Sequence, residues 1–460
     1  MALLKKDRPL LVALSTAVLF SLVWGALAGP AAAEEKPVTI TWWINPWRIA
    51  PPGFPEDKAP TAEDFPRWVS EEFMRLHPNV TVKYEVLTNQ GFDQKVAAAI
   101  LAGKPPDILR PISFKQEWVR QGLLEPIDEY LTAFDLQDFY DYALNVGKVG
   151  DHYYLFPWNN SNNGMGSSLL LNPRMFAERG VPLPPLPDRS WTMDEFMTAA
   201  RRLSYDTNGD GTNDVYAIGM SARMDLMNNL AWFHIFGARY VDEGQRRFVL
   251  DSPAGVRALS WLVDAIYKER ISPPGAEGMG IYDVINLFHQ QRLAIGYGGP
   301  YEIGRIDRYL KEGRIKQKFP VHVAQFPHFP EIGPVAYHTS GGFVVFKQTD
   351  PYKRKMVMEF ARFLTNQENM SLLRSLLYVT ARKSVNENLY KGYEFEKEID
   401  VYLRAISHGI PYFGSAEIDT TPADKHFIAM LEAAFSRTKT PQQALDEFVS
   451  QANRLVFRGR

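Results

Sequence analysis

The chain reads as an α/β protein built from two units, and three observations predict this. Between residues 38 and 121, strands and amphipathic helices follow one another in strand–helix–strand–helix order, which requires a parallel sheet with helices on its faces. A second series of the same kind starts near residue 154. The 460 residues are too many for one compact core, and 45% hydrophobic with 23% charged residues is the balance of a globular protein.

Residues 38–43, Val-Thr-Ile-Thr-Trp-Trp, alternate with period two, placing Val38, Ile40 and Trp42 on one strand face and Thr39, Thr41 and Trp43 on the other. The proline-rich loop 45–60 is longer than an ordinary connection, and such loops often carry function. A helix capped by Thr61 runs toward Leu76 and stops at His77-Pro78, because a residue before proline avoids the helical region. Residues 80–86 alternate again, 92–101 read as a helix closed by Gly103, and 105–109 lead into a short buried strand. Ser113 caps a further helix toward Gln121.

In the second unit, 168–171 is a strand, and Asn172-Pro173 opens a helix that Gly180 closes. Residues 182–187 form a stiff linker, and Thr192-Met-Asp-Glu195 is a capping box opening a helix to about Leu203. Helices are expected over 252–269 and 281–291, then a short strand over 293–296 ending in Gly298-Gly299-Pro300. Strands return over 321–325 and 342–346, Asp350-Pro351 caps a helix to Leu364, and the remainder reads almost entirely as helix.

The first 33 residues have the form of a secretory leader. Lys5, Lys6 and Arg8 make a basic start, residues 10–29 are uncharged and apolar, and Ala31-Ala32-Ala33 offers a small-residue cleavage site before Glu34. The apolar run is also long enough to serve as an uncleaved anchor; Gly29-Pro30 and the alanines favour cleavage near Ala33. With no cysteine anywhere, the protein carries neither disulfides nor a lipid on a lipobox, so the expected destination is the periplasm, free of the membrane.

A net charge of −2 without a basic stripe argues against nucleic acid as a partner. The nine histidines make no His-Glu-x-x-His spacing, and no Gly-x-Ser-x-Gly occurs. Gly164-Met-Gly166 and Gly296-Tyr-Gly298-Gly299 lack the P-loop lysine and the dinucleotide spacing. Carboxylates are plentiful, and counting selects no glycosidase pair among them. Asp206, Asn208, Asp210 and Asp214 occupy ligand positions of a calcium loop around Gly211, but Ala217 stands where the bidentate glutamate belongs. A structural calcium and an ordinary Gly-Asp-Gly turn both remain open there; no cofactor is otherwise required.

Aromatic and amide residues gather at strand ends: Trp43, Asn45 and Trp47; Trp158, Asn159 and Asn160; Tyr297 and Tyr301. Aromatics make up 13% of the chain, with ten Trp and 21 Tyr. Open parallel sheets hold ligands at the carboxyl ends of their strands, and rings to stack with amides to hydrogen-bond suit a polyol.

Several segments, in order along the chain, resemble the family 1 extracellular solute-binding proteins of ABC importers, the maltose-binding-protein type. Ile-Thr-Trp-Trp43 resembles that family's opening strand and Phe73-Met-Arg-Leu-His-Pro-Asn-Val80 its helix-to-strand turn. Ala102-Gly-Lys-Pro-Pro-Asp107 is similar to its Gly-x-x-Pro-Asp element. Leu155-Phe-Pro-Trp158 with Leu169-Leu-Leu-Asn172 resembles the first crossover, and Ala294-Ile-Gly-Tyr297 the second. Ser190-Trp-Thr-Met-Asp-Glu-Phe196 is similar to the family's Trp-Thr-x-Glu-Phe helix start. One departure is Leu171-Asn172, where the family often has Tyr-Asn.

The resemblance implies a two-lobed periplasmic-binding-protein fold, each lobe a mainly parallel sheet flanked by helices, with the chain crossing between lobes. Lobe one would hold 37–158 and 301–350, lobe two 159–300 and 351–460. It also implies a carbohydrate ligand in the interlobe cleft, an ABC permease as partner, and a monomer without catalytic activity. Trp43, Trp158, Trp232, Tyr297 and Tyr301 are the expected stacking residues, and Asn45, Asn160 and Arg110 the expected hydrogen-bonding ones; Arg110 also admits an anionic ligand. The rival readings are a secreted carbohydrate-active enzyme and a membrane-anchored sensor.

Overall fold

Eight strands carry the architecture: β1 (Val38–Ile44), β2 (Val80–Val86), β3 (Ile108–Leu109), β4 (Phe156–Asn160), β5 (Ser168–Leu171), β6 (Ile295–Tyr297), β7 (His322–Gln325) and β8 (Ser340–Val345). The computed structural model describes residues 36–457 except 56, 161–163, 225, 245, 408 and 412–419; the leader lies outside the described residues. One sheet has the order β2-β1-β3-β8-β4 and the other β6-β5-β7. β1 is parallel to β2 and β3, whereas β8 is antiparallel to β3 and β4, and β5 is antiparallel to β6 and β7. The two reversed strands are those by which the chain enters each sheet from the other.

Alternation along β1 places Ile40, Trp42 and Ile44 in a core with Phe65, Val69 and Phe73 of the helix Asp64–Leu76 and Phe360 of the helix Pro351–Leu364. Trp42 Nε1 donates to Ser70 Oγ at 3.2 Å, so this buried ring keeps its one polar atom paired. The opposite face packs Leu109, Val344, Phe92 and Val96, with Trp43 partly buried against them. A larger core surrounds the second sheet and takes in Trp232, Phe233 and the helices Asp424–Phe435 and Pro441–Val456.

These cores redraw the expected lobe boundaries. Ile303 and Ile306 of the helix Pro300–Lys311 and Val323 of β7 lie in the second core, while Met356, Phe360, Met370 and Leu373 lie in the first. The helix Pro300–Lys311 follows β6, and Ile303, Ile306 and Tyr309 bury its apolar side in that core, where it meets the helix Glu396–Ser407. The first core's later share therefore begins at β8, runs through Leu373 and takes in Ala381.

Several helix starts follow the capping signals. Asn172 accepts from Arg174 N and Met175 N, Thr192 and Glu195 form a capping box, and Asp350 accepts from Tyr352 N and Lys353 N. The first helix starts later than expected, at Asp64, where Asp64 accepts from Thr61 N at 2.7 Å. A helix at Leu226–Ile235 has no counterpart in the sequence reading.

The chain passes between the sheets three times: after β4, before β8, and after Leu376. These passages are tied together. Asn160 N donates to the Val379 carbonyl at 2.9 Å, Ala381 N to the Trp158 carbonyl at 3.0 Å, and Ser340 Oγ to the Asn159 carbonyl at 3.1 Å. On the first passage Gly164 has φ +86°, and a Cβ there would lie 2.3 Å from Gly299 N, so only glycine fits.

Two buried arginines, each held by carboxylates, brace the lobes. Arg382 donates to Asp135 Oδ1 at 2.6 Å and Asp138 Oδ2 at 3.0 Å, joining the third passage to the helix Ala133–Asp138. Arg189 donates to Glu398 Oε2 at 2.6 Å, and Glu398 also accepts from Val323 N at 2.5 Å. Burial pushes the carboxyls of Asp135 and Glu398 up, but their donors outweigh it: Arg382 and Thr132 for Asp135; His322, Arg189 and Val323 N for Glu398. Both are left below the ordinary carboxylate range.

Arg382→Ala strands two buried carboxylates, so it is expected to cost about 3–5 kcal/mol in urea unfolding; a loss below about 1 kcal/mol would show that the pair is not structural. Asp135 and Glu398 hold protons less tightly folded than unfolded. Their contribution is complete above about pH 5 and drains as pH falls through the depressed folded values. The unfolding midpoint should therefore hold down to about pH 5 and then drop, with a shallower drop in Glu398→Gln. An identical acid profile in that variant would remove Glu398 from the account.

Candidate functional site

Loops leaving the carboxyl ends of three parallel strands converge on one cavity. Asn45 follows β1, Asn89 follows β2 and Arg110 follows β3, the arrangement expected of a ligand site in an open α/β sheet. Tyr301, Gly304, Arg305 and Arg308 face them from the helix Pro300–Lys311, spaced to share one helix side. Residues 375–378 of the third passage close the cavity, and Leu377, at φ +56°, turns the chain just before Tyr378. The volume is about 460 Å³, within the range of small-molecule sites.

A row of rings runs along this cavity. Trp158 and Trp47 meet at 4.9 Å between centroids, Trp47 and Tyr378 at 5.0 Å, and Tyr378 and Tyr301 at 5.4 Å. Trp47, Tyr378 and Tyr301 line the cavity, while Trp158 is fully buried behind Trp47. Asn45 Oδ1 fixes the group by accepting from Trp47 Nε1 at 2.9 Å and from Arg110 Nη1 at 2.8 Å, while its amide donates to Asn89 Oδ1 at 3.2 Å. The Arg305 guanidinium sits 4.0 Å over the Tyr301 ring and donates to Glu302 Oε1 at 2.9 Å. Burial and the adjacent Glu302 push the Tyr301 phenol above its ordinary range, so it stays neutral and can donate.

Of the residues expected from the sequence, Asn45, Arg110 and Tyr301 meet at this cavity. Trp43 does not: it lies within β1, on the face covered by the helix Phe92–Leu101, with Lys95 Nζ 5.1 Å from its ring. A side chain inside a strand meets the helices covering the sheet, not the cleft beyond the strand end. Trp232 is fully buried in the second core, stacked near Trp261, and donates to Tyr297 Oη at 3.0 Å. Tyr297 is buried with it. Asn160 belongs to the passages between sheets, donating to Tyr142 Oη at 3.3 Å and accepting from Tyr402 Oη at 2.9 Å. Trp47, Asn89, Tyr378 and Arg305 complete the site. Trp47 stands in the long loop marked by sequence, whereas only tertiary structure brings Tyr378 and Arg305 to it.

The loop 206–214 is organised by its own backbone. Asp206 accepts from Asn208 N, Gly209 N and Gly211 N; Asn208 Oδ1 accepts from Asp210 N; and Asp214 accepts from Thr207 N at 2.8 Å. These donors hold the Asp206 carboxyl below the ordinary range. Among the described residues no group of three His, Cys, Asp or Glu side chains is placed to hold a metal ion.

The sequence profile of the bacterial extracellular solute-binding protein family matches residues 58–371. The maltotriose-binding protein of Pyrococcus abyssi is 26% identical over 242 residues, 52% of this chain and 47% of that one, so the chain spans about half the length of this curated relative. The cyclic α-maltosyl-1,6-maltose binding protein of Arthrobacter globiformis has a similar structure, with TM-score 0.71 and 18% identity over 92% of this chain and 100% of that one. An ABC transporter solute-binding protein of Thermotoga lettingae, bound with α-D-tagatose, gives TM-score 0.69 and 20% identity over 91% and 99% of the two chains.

Because Asp206 is engaged by three backbone N–H groups and Asp214 by Thr207, neither added calcium nor EGTA is expected to move the thermal midpoint. A rise of several degrees with millimolar calcium, reversed by EGTA, would decide for a bound calcium.

Proposed function

Because the chain belongs to the bacterial extracellular solute-binding protein family, we propose that it captures a carbohydrate in this cleft and delivers it to the permease of an ABC importer. The carrying observation is the row of Trp47, Tyr378 and Tyr301 beside the amides of Asn45 and Asn89. Rings offer flat apolar faces to the C–H side of a sugar, and amides pair with its hydroxyls. The maltotriose, cyclic maltosyl-maltose and tagatose named for the similar proteins support the same class of ligand. The family is one of extracellular binding proteins, not enzymes.

The cleft walls come from opposite sheets joined by three passages, so closure would be a hinge motion around the ligand, with the closed form presented to the permease. Stacking and neutral hydrogen bonds need no metal or cofactor. The protein would act as a monomer in the periplasm after cleavage near Ala33, unanchored because no cysteine exists to carry lipid. Among the described residues, no helix is long and apolar enough to cross a membrane.

A thermal-shift screen of ligand-stripped mature protein against mono- and oligosaccharides tests this. A sugar at about 100 times its Kd should stabilise by about 2.7 kcal/mol. Tyr378→Ala should weaken binding by about tenfold or more, whereas Trp43→Phe should bind normally. Silence across the panel, or equal loss in both variants, would refute the cleft assignment.

A further inference from the structure

Three arginines are buried among the described residues: Arg110, Arg189 and Arg382, at 3%, 5% and 5% exposure. Arg189 meets Glu398, and Arg382 meets Asp135 and Asp138. Arg110 meets no carboxylate. Its two hydrogen bonds go to amide oxygens, Asn45 Oδ1 at 2.8 Å and Asn159 Oδ1 at 3.4 Å, and its Nε is buried without a partner. A buried guanidinium lacking a counter-charge is costly, and the rings of Trp47 and Trp158, at 4.4 and 5.4 Å, offset only part of that.

No Asp or Glu lines the cavity that Arg110 faces, and three further arginines do. Arg305 is taken up by Glu302, and Arg308 lies 3.6 Å from Glu312, whereas exposed Arg48 has no ion pair among the described residues. We propose that the ligand is an acidic sugar, whose carboxylate or phosphate supplies the missing counter-charge to Arg110 with Arg48 at the cavity mouth. This rests on the carbohydrate reading above and narrows it. Planar guanidinium groups match both anions, while the ring row would hold the sugar body. Burial pulls Arg110 down only to about 10, so it is charged at neutral pH.

The test is calorimetric titration of ligand-stripped protein with glucuronate, trigalacturonate and glucose 6-phosphate, set against glucose, galactose and maltotriose. An acidic sugar should bind at least about tenfold tighter than any neutral one, and whether a carboxylate or a phosphate wins identifies the anion. The advantage should shrink between about 0.02 M and about 0.5 M NaCl. Arg110→Gln should abolish it, and Arg110→Lys should keep part of it. Should Arg110→Gln not fold, Arg48→Gln on the exposed rim still reads the effect, with a smaller loss confined to acidic sugars. A neutral sugar binding as tightly as the acidic ones, or no salt dependence, overturns this inference and leaves the carbohydrate reading standing. No binding by any member of the set overturns both.

Discussion

Asn159 and Asn160 form the junction on which the rest of the structure depends. They end β4, where the chain leaves the first sheet, and both are fully or almost fully buried. A buried amide is tolerated only when its donors and acceptor are paired, and here the partners come from every passage between the sheets. Asn160 reaches Tyr142, His338 and Tyr402, while its backbone meets Val379. The Asn159 carbonyl accepts from Ser340, and its side-chain oxygen accepts from Arg110. Apolar side chains at these positions would pack, but they would leave the three passages unregistered and Arg110 unsupported.

That junction sets the position of the cleft. Arg110 is held between Asn45 on one loop and Asn159 at the passage, and Trp47 lies across its guanidinium. Two of the cleft's walls are thus tied to the point where the lobes join. The facing wall, the helix Pro300–Lys311, leaves β6 through Gly298 and Gly299, against which Gly164 of the first passage packs backbone to backbone. Movement of one lobe against the other would pivot near these contacts and change the spacing between Asn45 and Tyr301 without disturbing either core.

Much of the fold was legible because it is written in local chemistry. Period-two alternation gave β1 and β2, and capping residues at Asn172, Thr192 and Asp350 gave helix starts. The helix Leu226–Ile235 was not legible because its polar residues, Asn228, Asn229 and His234, do not gather on one face and leave no 3.6-residue apolar stripe; most of it is buried. At the site, Asn45 and Arg110 could be read because they directly follow parallel strands. Trp43, Trp232 and Tyr297 show the limit of that reading: an aromatic near a strand end fills a core as readily as a cleft, and the sequence does not say which. Tyr378 and Arg305 reach the cavity through the third passage and a helix side, neither of which has a signature in the chain.

The cleft and the interior of the lobes treat positive charge differently, and the contrast is physical. Inside the lobes, Arg189 and Arg382 are each balanced by carboxylates on segments distant in sequence, pairs that fix one packing of the surrounding helices. In the cleft, the guanidinium of Arg110 is oriented by neutral amides and ring faces, which direct it without cancelling its charge. A carboxylate in the place of Asn45 would satisfy the arginine and remove its field from the cavity. The amide keeps Arg110 both ordered and electrostatically available, so the same contact that steadies the loop after β1 also sets the sign of what the cleft can hold.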